Sequence, residues 1–147
     1  MHTSGTTTAW RTSPGPDLVE AGKQQAAAVG AEVVRATVTN IVRGEGGFTL
    51  ETTGGAHEAR QVILATGLMV DVAQTIGIAT RPGTEPRIKT ILEVEPTGRT
   101  AIPGIWAAGT VAGVSVHTII TAGDGAKVAV NVISEMDGKR WVDHEVL

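Results

Sequence analysis

The period of the apolar positions along the chain changes several times, and each change predicts an element. Leu18, Gly22, Ala26 and Val29 recur at helical spacing behind Asp17, which makes a capping box with Glu20 three residues later. A helix over 17–29 follows, with Gly30 as its stop. Residues 1–15 ahead of it are polar, threonine-rich and aperiodic, and read as an irregular arm in front of one domain, residues 16–147. Ala31 to Arg43 is rich in valine, threonine and isoleucine; GEGG at 44–47 turns it into Phe48 to Thr52, which makes a hairpin. After a second turn at Thr53-Gly54-Gly55, Ala56 to Arg60 leads into Val62 to Ala65, an apolar run without alternation. Such a run predicts a strand buried on both faces of a parallel sheet.

Beyond it, a short helix at 71–76 and a strand within Arg87 to Val94 are expected, with Pro82, Pro86 and Pro96 punctuating loops. Ile105 to Gly109 is a second buried strand, framed by Pro103-Gly104. A last helix is expected over Thr118 to Met136, with Ile119, Ala122, Ala126, Val130 and Ile133 on one stripe and Asp137-Gly138 ending it. The class is α/β, with a parallel sheet, a hairpin or meander and a long C-terminal helix.

Composition narrows the chemistry. The 147 residues include 19 glycines, a share well above the roughly 7 % of average proteins. Close approach to a nucleotide and a loop-rich surface both use such glycines. No cysteine is present, which excludes a disulfide framework, a redox dithiol, an iron–sulfur cluster and a thiolate zinc site within this chain. The first residues carry no signal-peptide pattern, and the longest apolar run, Val62 to Val70, falls far short of the ~20 residues that span a bilayer. A cytoplasmic protein is expected. Net charge is −3, with basic residues scattered rather than clustered, so neither nucleic acid nor membrane is expected as a partner.

The most informative stretch is TAIPGIWAAGTVAG, residues 100–113, followed by HTIITAGDGAKVAV, residues 117–130. A buried strand ending in small residues, a loop and a glycine-bearing helix start is how α/β folds offer backbone N–H groups to an anionic cofactor. Gly109, Gly123 and Gly125 would admit a ligand to the backbone, or would let the helix pack tightly on the sheet.

These segments resemble a known family. Thr100 to Gly109 is similar to the C-terminal flavin motif of thioredoxin reductases and related pyridine-nucleotide disulfide oxidoreductases. Val62 to Gly67 is similar to their ATG motif, and Ala122 to Val130 to the start of their last flavin-domain helix. The resemblance covers residue 16 to the end. It implies an FAD-dependent oxidoreductase of thioredoxin-reductase type, with Gly67, Gly109, Thr110, Ala122 and Gly123 at the cofactor and His117 approaching the flavin. It also implies a homodimer, or a second chain that supplies the missing nucleotide-binding half.

The departures matter equally. Where the family's motif ends in Gly-Asp, this chain has Gly109-Thr110. The family's G-x-G-x-x-G unit is not found, and GEGG at 44–47 is no substitute, because a strand follows it. The stretch from Gly67 to Thr100 is too short for an inserted nicotinamide domain, and there is no CxxC. The chain is therefore expected not to reduce a disulfide on its own. Its donor and acceptor stay open, and a cofactor-free relic serving as a binding or dimerisation module is the alternative.

Several residues have two readings. His117 serves a flavin or is a surface histidine; Asp124 is an acid–base group or a first-turn residue favoured by the helix dipole. Trp106 and Trp141 stack on a flavin, or pack in the core or at an interface. His2, His57 and His144 lack metal-ligand spacing, so no metal is expected. Ser115 with His117 lacks an orienting acid for a hydrolase triad.

Overall fold

The computed structural model describes residues 15–142. The chain divides into two compact units, one ending at Arg35 and the other beginning at Ala36. Apart from Gly15, the expected arm lies outside the described residues, as do His2 and His144. In the first unit, helix α1 spans Gly15–Ala28. It begins two residues before the expected capping box, so Asp17 sits inside the first turn, where the helix dipole favours a carboxylate, rather than at the cap. Glu20 reaches forward to Lys23 at 3.9 Å. The expected stop holds: Gly30 takes φ +89, and the Ala31 N–H closes onto the Ala26 carbonyl at 3.0 Å.

The second unit opens with an antiparallel meander, β1 (Val38–Arg43), β2 (Phe48–Thr52) and β3 (Gly55–Ala59), in the order β1-β2-β3. The strand expected from Ala31 forms only from Val38. Strand β4 (Val62–Leu64) then pairs in parallel with β7 (Ile105–Ala107), Ile63 opposite Trp106. Between them lie α2 (Asp71–Thr75) and a two-stranded ribbon of β5 (Thr80–Pro82) and β6 (Thr90–Leu92). Strand β5 includes Pro82, which reads as loop punctuation in sequence. In a two-stranded ribbon each strand has an outer edge, where a residue without an N–H is tolerated.

Strand β7 is buried throughout because its alternate residues face different clusters. Ile105 and Ala107 join Ile41, Phe48, Val62, Leu64, Leu92 and Val111, whereas Trp106 and Ala108 join Val128 and Val132. Strand β4 is only half as well covered. Val62 and Leu64 are buried but Ile63 is 41 % exposed, so the expectation of a strand buried on both faces fails there. The valines that cover Trp106 come from the last helix, whose buried residues cluster with β7 and not with Ile63.

That helix, α3, spans Thr118–Asp137 and ends on Gly138 at φ +67. Its extent matches the sequence pattern, but its buried face does not. Asp124, Val128 and Val132 are inside, while Ile119 is 63 % exposed and Ile133 lies on the surface. Apolar residues occur all round α3, so periodicity alone fits more than one stripe.

The packing of α3 on the loop before β7 depends on Gly98. It has φ +93, and a Cβ there would lie 2.5 Å from Val128 Cγ2 and 3.0 Å from the Ala107 carbonyl oxygen. A left-handed non-glycine residue costs roughly 1–2 kcal/mol, and overpacking roughly 1–3 kcal/mol. Gly98→Ala is therefore expected to destabilise the protein by about 3 kcal/mol, read as a lowered urea midpoint with unchanged slope.

Candidate functional site

The parallel strands β4 and β7 deliver their carboxyl ends to one place, where open α/β sheets present ligand crevices. Ala65 and Gly67 follow β4, and Ala108, Gly109 and Thr110 follow β7. With Val116, Thr118, Thr121, Ala122 and Gly125 around the start of α3 they line a cleft of about 430 Å³. The Ala108 N–H donates to the Leu64 carbonyl at 3.0 Å, which ties the two strand ends together. Gly67 adopts φ +65 and Gly109 φ +78, and beyond their immediate chain neighbours no atom lies within 4 Å of where a Cβ would stand on either. The backbone conformation thus favours glycine at both positions, and the space it leaves is open.

A short 3₁₀ turn, Gly109–Ala112, follows β7 and closes on Gly113, whose N–H donates to the Thr110 carbonyl at 2.9 Å. The Gly109 N–H is held from the other side of the unit. It donates to Asp124 Oδ2 at 2.8 Å, and Asp124 Oδ1 pairs with Lys127 Nζ at 2.6 Å. Asp124 is 8 % exposed and lies in the second turn of α3, well past its amino end, so the first-turn reading of this residue is corrected. Its carboxylate is committed to an internal amide and a lysine, as burial of a charge requires.

The amino end of α3 is open. Its cap residue His117 makes no side-chain capping bond, and no acidic residue lies in the first turn. The His117 carbonyl accepts from the Ile120 and Thr121 N–H groups at 2.9 and 3.0 Å, leaving the Thr118 and Ile119 N–H groups ahead of the first intrahelical bonds. Three threonines, Thr110, Thr118 and Thr121, stand in the cleft wall, the Thr121 hydroxyl donating to the Thr118 carbonyl at 3.0 Å, and no charged side chain among the described residues lines it.

Of the residues singled out in the sequence, Gly67, Gly109, Thr110, Ala122 and Gly125 meet in this cleft, from segments far apart in the chain. His117 and Gly123 border it in sequence but do not line it. His117 Nδ1 instead lies 2.7 Å from the Ser115 hydroxyl, two residues away. Thr118 and Thr121 of α3, with Ala65, Ala108 and Val116, are wall residues that the motifs do not single out. Thr118, Thr121 and Gly125 follow one another along the helix. Their spacing of three and four places them on one helical face with Ala122, a signal that was present. Trp106 is a core residue, 1 % exposed, with its Nε1–H donating to Gln61 Oε1 at 2.8 Å and the Arg99 guanidinium 5.2 Å from its ring centroid. His57 is exposed on β3, and among the described residues no three His, Asp or Glu side chains gather as metal ligands would. No described helix is long and apolar enough to cross a membrane.

No protein-family model matches the chain, and no curated protein matches it at a significant level. Solved structures do share its fold. An atypical thioredoxin reductase from Desulfovibrio vulgaris Hildenborough superposes with a TM-score of 0.69 at 18 % identity, covering 90 % of this chain and 83 % of that one. A thioredoxin reductase from Gloeobacter violaceus gives 0.73 at 15 % identity, covering 99 % and 84 %. A ferredoxin-flavin thioredoxin reductase from Clostridium acetobutylicum gives 0.65 at 13 % identity, covering 90 % and 82 %. The chain therefore has a thioredoxin-reductase-like, Rossmann-like α/β fold.

The Asp124 contact is a part-buried bond that joins α3 to the turn after β7. Removing an acceptor from a buried N–H costs roughly 1–3 kcal/mol. Asp124→Ala is expected to lower stability by about 2–3 kcal/mol, and Asp124→Asn, which keeps an acceptor for the Gly109 N–H, by about 1 kcal/mol. Thermal unfolding of the three proteins measures both.

Proposed function

We propose that this protein is a flavoprotein of the thioredoxin-reductase type, holding FAD by its flavin end in the cleft between β4, β7 and α3. One observation carries the reading: three motif segments, at Gly67, at Gly109-Thr110 and at Ala122, converge on one crevice at the carboxyl ends of parallel strands. The fold shared with thioredoxin reductases, one of them a ferredoxin-flavin enzyme, supports it.

The residues present fit the group. Gly67 and Gly109 leave backbone without side chains where a planar ring system needs room. The threonine hydroxyls can exchange hydrogen bonds with a hydroxylated chain, and Val116 and Ala122 give apolar contact. The open amino end of α3 favours electron-rich ring oxygens through its unpaired N–H groups and dipole. When bound, a flavin supplies electron transfer, and the protein's part is to hold and orient it. With no cysteine in the chain, disulfide reduction would need a partner's thiols.

Thr110 tests the assignment, because it stands where the resembling family has aspartate. A hydrogen bond to a charged acceptor is worth roughly 1.5–3 kcal/mol, against roughly 0.5–1.5 for a neutral one. Thr110→Asp is therefore expected to tighten FAD binding about tenfold, followed by quenching of flavin fluorescence. Equal, negligible quenching by both proteins would remove the flavin assignment.

A second reading, a cofactor-free dimerisation module, has one observation of its own. Ile119, Ala122, Ala126, Ile133 and Met136 are exposed and recur along α3 at gaps of three, four, seven and three, positions that fit the heptad of a helix-pairing seam. A two-fold axis at Ala126 would set Ile119 of one antiparallel copy against Ile133 of the other. On this reading the protein sediments as a dimer, and Ile119→Asp with Ile133→Asp returns it to a monomer in analytical ultracentrifugation. A wild-type monomer at high concentration eliminates it.

A further inference from the structure

We propose that the cleft selects the uncharged part of its ligand, a planar ring bearing a hydroxylated chain, and gives no grip on phosphate, so that riboflavin binds about as well as FAD. This rests on the flavin reading above and narrows it. In α/β folds the glycine-bearing turn after a strand holds phosphate because its amides are free and point at the anion. Here the first amide of that turn is taken: the Gly109 N–H donates to Asp124 Oδ2 at 2.8 Å, within a carboxylate that is nearly fully buried. A phosphate brought to this amide would have to displace that carboxylate, and would face its negative charge on the way in.

Nor is there a cation to offset a phosphate. The cleft wall among the described residues is glycine, alanine, valine and threonine. The nearest lysine in the site's own network, Lys127, is already paired with Asp124 at 2.6 Å. What remains positive is the amino end of α3, a partial charge of roughly +0.5 at most. That partial charge offsets only part of the one or two full charges that a phosphate carries, and it serves the carbonyl oxygens of a neutral ring as well. The hydroxyls of Thr110 and Thr118 add donors and acceptors that pair with ligand hydroxyls without any net charge, and Thr121, whose O–H donates to the Thr118 carbonyl at 3.0 Å, adds an acceptor.

The test is a comparison of riboflavin, FMN and FAD binding to the full chain by flavin fluorescence. The three dissociation constants are expected to agree within about threefold, and the FMN value to change little between about 50 and 200 mM salt, because no ion pair forms. FMN or FAD binding tenfold or more tightly than riboflavin overturns the inference and leaves the flavin assignment standing. Failure of all three to bind overturns both. Ala122→Lys, at an exposed position of the same wall, is expected to favour FMN over riboflavin about tenfold; an unchanged ratio overturns the charge argument.

Discussion

The hydrogen bond from the Gly109 amide to the Asp124 carboxylate fixes where the last helix lies. Gly109 leaves β7 in the left-handed region and starts a 3₁₀ turn, so its amide has turned out of the sheet and needs an acceptor of its own. Asp124 supplies it from α3. Once that residue is anchored, Val128 and Val132, one and two turns further on, meet Trp106 and Ala108. The same anchor leaves the first two turns of α3 beside the ends of β4 and β7, and the cleft is the space between them.

Much of this was legible in the sequence because it is local. The apolar runs around Val62 to Leu64 and Ile105 to Ala107, each followed by small residues and glycine, read correctly as strands, though only the second is buried on both faces, and GEGG read correctly as a hairpin turn. The face of α3 was not legible. Its apolar residues are spread round the helix, and the buried face holds an aspartate beside Val128 and Val132, which counting hydrophobic residues treats as noise. Strand β5 was hidden by Pro82, whose usual meaning is a break. Within the cleft, motif position in the resemblance gave Gly67, Gly109, Thr110 and Ala122. Motif position gave His117 and Gly123 as well, yet a helix turns about 100° per residue, so neighbours in sequence look in different directions.

The departure at Thr110 also takes on a physical sense. The resembling family has a carboxylate in the loop after the glycine, whereas here one reaches the adjacent backbone from the helix. It is buried and lysine-paired, and it serves the protein's own amide. The carboxylate near Gly109 is thus part of the scaffold, and the side chain left facing the cleft is a neutral hydroxyl.

The parallel pairing of β4 with β7 has a consequence for how the molecule comes into being. The meander from Val38 to Ala59 closes through tight turns between neighbouring segments. The register of Val62 with Ile105, by contrast, spans the whole α2–β6 excursion. Long loops must be closed before such contacts repay them, so pairings of this kind form slowly. During synthesis the meander can assemble while the strand that will complete the cleft is still being made. The crevice is then among the last features to appear, present only when nearly all of the second unit is in place.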